Sequence, residues 1–218
     1  MFKTLEKEII HRTTDIRDYI SFVMNAMPAP PTTTPGYLNL AKGFLDVHLY
    51  GMIEYTVNQT VSIAISSINS NKLKLTALRP QIMSLVLDAE LSALFGATSK
   101  KWDKRHKVFS ALEIDGEIDI RNDLMPTDGK NFTHTQLESI KNTFCIKDNL
   151  FHDVRFRGLL QSIVGNRVNV AHGNYSATLV GANLYPSDIQ PRIDDTFAFC
   201  IHFINTFENY LSLQHYKL

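Results

Sequence analysis

Residues 163–174 read Ile163-Val164-Gly165-Asn166-Arg167-Val168-Asn169-Val170-Ala171-His172-Gly173-Asn174. This stretch ends a series of apolar residues at three- and four-residue spacing that begins near Phe151, and such spacing predicts an amphipathic helix. Gly173 is the residue type expected just past a helix end. The stretch therefore predicts a helix over residues 151–173, with one guanidinium, one imidazole and three side-chain amides at and just beyond its C-terminal end.

The rest of the sequence shows the same helical periodicity and almost no pattern typical of strands. Apolar spacing predicts further helices over residues 5–27, 38–68, 80–95, 137–144 and 193–211. Residues 133–136 fit a capping box, and the prolines of residues 28–36 form a connector. Asp115-Gly116 suggests a short hairpin or a loop, and residues 173–191 are expected to be irregular. We expect one all-α domain over residues 1–218, a bundle of about six helices.

The composition excludes several classes of protein. Among 218 residues, 22 Lys and Arg balance 22 Asp and Glu, so no net charge attracts the chain to nucleic acid or lipid. Two cysteines, Cys145 and Cys200, are too few for a disulfide framework or a Cys-rich zinc site. The longest apolar segment, residues 82–95, is interrupted by Asp88 and Glu90, and the chain does not begin with a signal-peptide pattern. We expect a cytoplasmic protein without a membrane span.

Several reaction classes lack their residues in this sequence. It contains no glycine-rich phosphate loop, dinucleotide-binding glycine motif, His-Glu-x-x-His or Gly-x-Ser-x-Gly. Asp46 and His48 have the chemistry of metal ligands, but residues two apart on a helix face different directions. We expect neither a metal nor a cofactor. Glu54 interrupts an apolar stretch, so it is either solvated on a polar stripe or paired with a buried cation.

Arg167 and His172 together suit cleavage of a phosphodiester bond in RNA. Histidine exchanges a proton near neutral pH, and arginine binds phosphate oxygens with a planar fork. The alternative is an ordinary helix end, where polar groups cap carbonyls and the helix dipole favours His172. The two residues are five positions apart, which places them about 140° apart around the axis of a regular helix. Either the helix loosens before Gly173, or a second copy of the chain completes the site.

The segment from Arg167 to Gly173 resembles the Arg-x-x-x-x-His motif of the HEPN superfamily, usually seen as Arg-Asn-x-Ile-Ala-His-Gly. Three other segments are similar to the branch associated with restriction and toxin–antitoxin systems, the RiboL-PSP-HEPN-like proteins: Ile16-Arg17-Asp18-Tyr19-Ile20, Leu49-Tyr50-Gly51-Met52-Ile53-Glu54 and Asp128-Gly129-Lys130-Asn131. The resemblance implies a helical bundle that dimerises into one composite, metal-independent RNA-cleaving site. It implies catalytic roles for Arg167 and His172.

The chain departs from the family motif directly after the arginine. Val168 stands where the family usually has a polar residue, often asparagine. Asn166 and Asn169 are candidate substitutes for this polar residue, although each lies at a different angle around the helix. Together with Glu54 they are the candidate supporting residues of the site. Toxins of a related branch carry a tyrosine close behind the histidine that a partner enzyme modifies. Tyr175 is therefore a candidate modification site, the alternative being an ordinary loop aromatic.

Two groups of side chains are candidates for holding RNA. The first is a basic run with an indole that can stack on a base: Lys100, Lys101, Trp102, Lys104 and Arg105. Its alternative is a solvated helix face balanced by the acidic residues that follow. The second group comprises His152, Arg155 and Arg157, expected on the same helix as the motif.

These observations favour a homodimeric, metal-independent endoribonuclease, acting as a toxin or antiviral effector, with tRNA among its candidate substrates. A cognate antitoxin or an ATPase partner would fit that role. The alternative is a catalytically silent HEPN-like module that binds a nucleotide, RNA or protein, favoured by Val168 at the usually polar position. A purely structural helical adaptor is a third hypothesis, and it predicts no affinity for RNA.

Overall fold

The computed structural model describes residues 2–113, 116–127 and 131–218. Those residues form an all-α bundle, which confirms the predicted fold class. No helix in this part of the chain is long and apolar enough to cross a membrane. Ten α-helices occur in the described residues: α1 Phe2–Asn25, α2 Gly36–Gly43, α3 Leu45–Ser70, α4 Pro80–Val86, α5 Asp88–Phe95, α6 Lys101–Leu112, α7 His134–Thr143, α8 Phe156–Ala171, α9 Ala177–Ala182 and α10 Pro186–Ser212.

Helix α3 is the centre of the bundle. Its apolar residues surround most of its circumference, so it buries side chains against α1, α8 and α10 together. Leu49, Ile53, Val57 and Val61 are completely buried along its length. Burial of side chains of this size contributes about 1.5–3 kcal/mol each relative to exposure. The central helix therefore holds α8, with its Arg-x4-His segment, against the core.

Two predicted helices are each divided in the structure. The helix expected over residues 38–68 breaks at Phe44, where α2 turns away to pack on α9. The helix expected over residues 80–95 breaks at Leu87, and Asp88 begins α5, where a carboxylate favours a helix N-terminus. Each division changes the direction of a helix that periodicity alone treated as continuous.

Other boundaries also differ from expectation. The motif helix begins at Phe156 rather than near residue 151, and residues 173–191, expected to be irregular, contain α9 and the first turns of α10. Pro186 explains the early start, because proline is favoured in a first helical turn. Thr133 is the N-cap of α7, but its side chain makes no capping hydrogen bond. Asp115 of the candidate hairpin lies outside the described residues.

Helices α2 and α9 cross at two glycines. A Cβ atom on Gly43 would lie 1.8 Å from the Ala177 carbonyl oxygen, and one on Gly181 would lie 1.9 Å from the Asn39 carbonyl oxygen. Buried Lys42 adds a hydrogen bond of 2.8 Å from Nζ to the Leu184 carbonyl oxygen, just after α9. Only hydrogen at the two glycine positions lets the backbones approach so closely, which fixes α9 beside the end of α8.

We predict that Gly43→Ala lowers the free energy of unfolding by about 3 kcal/mol, because the added methyl group meets backbone that cannot move independently. Gly51→Ala is the matched control, since Gly51 is exposed inside α3 and nothing lies within 4 Å of its Cβ position. In the Gly51→Ala control, the free energy of unfolding should rise by about 0.5–1 kcal/mol. Urea denaturation of the two variants measures both values, and equal stability would contradict the close crossing.

Candidate functional site

Helix α8 stays regular through the motif. Leu160 and Ile163 face the core, and the His172 N–H still donates to the Val168 carbonyl oxygen at 3.0 Å. The helix ends at Ala171 with His172 as its C-cap, and Gly173 follows with a φ of 71°, in the left-handed region that glycine adopts past helix ends. The backbone therefore stays helical up to His172, and Arg167 and His172 keep their separation of about 140° around the helix axis.

Arg167 is held by residues outside α8. Its Nη1 donates a hydrogen bond of 3.3 Å to Asn131 Oδ1, and its guanidinium carbon lies 4.8 Å from the centre of the Tyr50 ring. A cation over an aromatic face is stabilised by about 0.5–2 kcal/mol, more as the pair is desolvated. The guanidinium is thus oriented by α3 and by the segment before α7, while part of its surface stays accessible.

Tyr50 connects the arginine to Glu54. The Phe132 N–H donates to Tyr50 Oη at 3.1 Å, and the tyrosine is almost fully buried. Burial raises the pKa of the Tyr50 phenol above its ordinary value, and Glu54 raises it further, while the Phe132 N–H and Arg167 oppose the rise. The phenol therefore stays protonated at neutral pH. Glu54 is half-buried one turn along α3, so its carboxylate acts on this cluster rather than on a fully solvated stripe.

His172 lies on a different side of α8 from Arg167. It is exposed, and its imidazole makes no hydrogen bond with any described residue. Helical geometry places it within about 40° of an exposed stripe formed by Gly158, Gln161 and Gly165. Nothing lies within 4 Å of the Cβ position of either glycine. The histidine thus belongs to an open face of small and polar residues.

A groove runs beside this open face. It has a volume of about 670 Å³ and lies between the start of α7 and α8. We call it the α8 groove, and it is lined by Thr133, His134, Thr135, Arg157, Gly158, Gln161, Val164 and Gly165. The groove and the stripe together form one long side of α8 that the described part of the chain leaves uncovered.

Asp46 is the residue that sequence reasoning missed. It is fully buried, and Arg192 Nη1 donates to its two carboxylate oxygens at 3.2 and 3.4 Å. Asn166 Nδ2 donates to Oδ2 at 2.6 Å, and Arg192 Nη2 donates to Ser162 Oγ at 3.1 Å. A buried carboxylate needs a cation and hydrogen-bond donors, so an aspartate in the first turn of the apolar central helix was the available signal.

The amides near the motif have local partners. Asn166 is bound to Asp46, and Asn169 Oδ1 accepts a hydrogen bond of 3.4 Å from Asn174 Nδ2. The Asn169 backbone carbonyl oxygen also accepts the N–H groups of Asn174 and Tyr175 at 2.9 and 3.2 Å. Val168 is half-buried and packs against the core. Asn166 therefore supports the packing of α8, whereas Asn169 shapes the turn that follows His172.

Tyr175 lines a second cleft beyond the end of α8. This cleft has a volume of about 380 Å³ between α8, α9 and α10. We call it the Asn166 cleft, and it is lined by apolar Leu179, Val180 and Leu184 and by polar Asn166, Tyr175, Asn183 and Arg192. Tyr175 itself is 51% exposed.

The first predicted RNA-binding group lies on and just before α6, which packs against α5. All of its members except half-buried Lys104 are exposed, and Lys104 Nζ donates to the Ala93 carbonyl oxygen at 2.9 Å. The Arg105 guanidinium carbon lies 4.7 Å from the Trp102 ring centre. Helices α3, α7, α9 and α10 are the main neighbours of α8. The structure therefore does not bring Lys100, Lys101, Trp102, Lys104 and Arg105 to the motif.

The second group is only partly on α8. His152 and Arg155 precede the helix, which corrects the expectation that all three residues share it. Arg155 Nε donates to Asp153 at 2.9 Å, and the Arg155 hydrogen bonds lower the pKa of that carboxyl to about 2. Burial lowers the pKa of His152, whose Nδ1 is buried without a partner among the described residues. Arg157 alone is both on α8 and at the α8 groove.

An all-helical bundle with Arg167 and His172 at the end of one helix defines a HEPN domain. A family model described as MAE_28990-like HEPN matches residues 1–216, and the chain belongs to that family. The predicted superfamily is thereby confirmed. HEPN domains are frequently RNases, often dimerise and bind RNA. Neither a curated protein nor a solved structure matches the chain.

We predict that Asp46→Ala lowers the free energy of unfolding by about 3 kcal/mol, because it leaves the Arg192 charge partly buried without its partner. The matched control is Asp194→Ala, which removes an exposed carboxylate whose Oδ1 lies 2.7 Å from Arg17 Nη2 between α1 and α10. An exposed pair of this kind contributes at most about 1 kcal/mol. Comparable losses in chemical denaturation would argue against a special role for Asp46.

Proposed function

We propose that the protein is a metal-independent endoribonuclease whose active site forms between two copies of the chain. The observation that carries this proposal is the placement of the two motif side chains. Arg167 is oriented by Asn131 and Tyr50, while His172 projects from an exposed face of the same regular helix. One copy therefore presents the Arg167 guanidinium and the His172 imidazole on different sides of α8. A second copy can bring its own His172 to the site.

The chemistry uses a proton transfer and charge stabilisation. His172 accepts the proton of a ribose 2′-hydroxyl, and that oxygen attacks the adjacent phosphorus. The bond from phosphorus to the 5′-oxygen breaks, and the leaving oxygen takes a proton from a water molecule, whose hydroxide is neutralised by the proton that His172 accepted. The products are a 2′,3′-cyclic phosphate and a 5′-hydroxyl. Arg167 stabilises the additional negative charge of the transition state.

The open face of α8 supports dimerisation. Gly158, Gly165 and His172 are spaced seven residues apart, and Gln161 lies between the first two on the same face. Small residues allow two helices to approach closely, and a seven-residue repeat is the spacing at which helices pack side by side. In a two-fold pair the same face meets itself, so both His172 side chains enter one interface, and the long Arg167 side chains, about 140° away around each α8, must reach this interface at its edge. The α8 groove would then receive the second copy.

The remaining parts of the proposal concern the substrate and the cellular role. Arg157 at the α8 groove is the cation best placed to hold RNA phosphates near the dimer interface. The basic α6 group would contact more distant RNA, as in a long folded substrate such as tRNA. Action as a toxin or antiviral effector in the cytoplasm, with an antitoxin or ATPase partner, fits this activity. Exposed Tyr175 is accessible to a modifying enzyme.

One observation favours a second function, that of a silent RNA- or protein-binding HEPN module. Val168 packs against the core in place of the usual polar residue. Asn166 is bound to Asp46, and Asn169 shapes the turn, so neither amide replaces it directly. In a binding module His172→Ala should leave RNA affinity nearly unchanged, whereas in a nuclease the same substitution should abolish turnover.

We predict that the purified protein cleaves labelled RNA in EDTA and that His172→Ala and Arg167→Ala reduce the rate by at least about 100-fold, as expected for loss of a proton-transfer or charge-stabilising group. Gel analysis with end-group mapping should find the 2′,3′-cyclic phosphate. All three proteins are prepared identically, with tRNA and unstructured RNA as substrates. Equal cleavage by all three would indicate a contaminating nuclease and contradict the assigned roles.

A mixture of the two inactive variants should regain activity if the site is shared. A mixed dimer of Arg167→Ala and His172→Ala contains one site with an intact arginine from one copy and an intact histidine from the other. After complete exchange of subunits we expect about a quarter of the wild-type rate, since half of the dimers are mixed and each has one intact site. An inactive mixture, with exchange verified by labelled subunits, would place both residues of each site in one chain.

The contact face can be tested with one substitution and its matched control. Gly165→Glu places a charged side chain on the open face of α8, and Gly51→Glu places the same side chain on an exposed face of α3. Both positions have room, so both monomers should fold. We expect light scattering to show a monomer for Gly165→Glu and a dimer for Gly51→Glu. A dimer in both would exclude this face of α8 from the interface.

A further inference from the structure

We infer that the Asn166 cleft binds one nucleobase of the RNA that is cut, next to the scissile phosphodiester. This inference rests on the proposed function because it takes RNA as the substrate. The Asn166 cleft has a volume of about 380 Å³, within the range of roughly 300–1,000 Å³ typical of small-ligand sites. Tyr175 at the cleft lies only three residues after His172, so a base seated there would be close to the reacting phosphate.

The hydrogen-bonding groups of the cleft are fixed by the network beneath it. The Asp46 carboxylate only accepts hydrogen bonds, so the Asn166 amide must direct its NH₂ towards Asp46 and keep its Oδ1 available. Arg192 directs Nη1 at Asp46 and one Nη2 hydrogen at Ser162. Its Nε–H and the second Nη2 hydrogen have no acceptor among the described residues. The cleft therefore presents an acceptor and a donor pair on rigidly held side chains.

The charge of the cleft favours a base over a phosphate. Arg192 is the cation that lines the cleft, and its side chain is only 17% exposed. Its charge is balanced by Asp46, which is fully buried directly behind it. A phosphate would need a net positive site. A neutral ring with both donors and acceptors on its edge needs only directed hydrogen bonds, which this pair supplies.

The walls of the cleft suit a flat ring. Leu179, Val180 and Leu184 supply apolar surface, and the exposed Tyr175 ring can stack on a base at the mouth. Asn183 adds a second amide whose side chain makes no hydrogen bond with any described residue. A binding site with apolar walls and a few directed polar groups can distinguish one base from another.

The test separates base binding from catalysis by using His172→Ala, which under the proposed function should bind RNA without cutting it. Fluorescence anisotropy with four labelled oligonucleotides, each a single type of base, should show a preference for one base. Tyr175→Ala in this background should weaken binding of the preferred oligonucleotide about tenfold, and Asn183→Ala should reduce the preference. Tyr185→Ala is the matched control, since Tyr185 is a neighbouring exposed tyrosine that does not line the cleft. It should bind like the parent protein.

Binding without any base preference, or equal weakening by Tyr175→Ala and Tyr185→Ala, would overturn the inference even if the protein proves to be a nuclease. Saturable binding of free nucleoside monophosphates without a matching preference in RNA would assign the cleft to a free nucleotide, and would also overturn it. A base preference that depends on Tyr175 in a protein that cuts no RNA would retain the cleft and refute the nuclease instead.

Discussion

The buried carboxylate of Asp46 is the constraint on which the architecture around the motif depends. A buried carboxylate needs hydrogen-bond donors and positive charge from other parts of the chain, and here these groups lie on two other helices. Arg192 on α10 and Asn166 on α8 meet it at the first turn of α3. Helices α3, α8 and α10 therefore share one polar junction, and the rotation of α8 about its own axis is determined there.

That rotation decides what the two motif residues can do. With Asn166 directed to Asp46, the next residue, Arg167, must turn towards Tyr50 and Asn131, and His172 must turn away from them. The arginine is thereby ordered before any substrate arrives, whereas the histidine has no partner among the described residues of its own chain. One oriented cation and one imidazole on another side of the same helix are the arrangement that the proposed shared site requires.

The sequence predicted the long helices because their apolar residues recur with the helical period, and the motif marked Arg167 and His172 as candidate site residues. It could not locate the breaks at Phe44 and Leu87, since both result from packing between helices rather than from local preference. The Asp46–Arg192 pair joins residues 146 positions apart, so no local pattern contains it. Asp46 was considered only as a metal ligand, and its apolar surroundings were the better signal.

The two glycines that bring α2 against α9 have a consequence for recognition. Because backbone lies directly on backbone there, the wall formed by α9 cannot shift without moving the N-terminal half of the bundle. A ligand that binds against this rigid wall loses conformational freedom itself but orders almost nothing in the protein. The conformational-entropy cost of binding on the protein side is therefore small. Because the wall is rigid, it does not adjust to ligands that fit poorly. Its rigidity therefore contributes to ligand selectivity as much as the hydrogen bonds do.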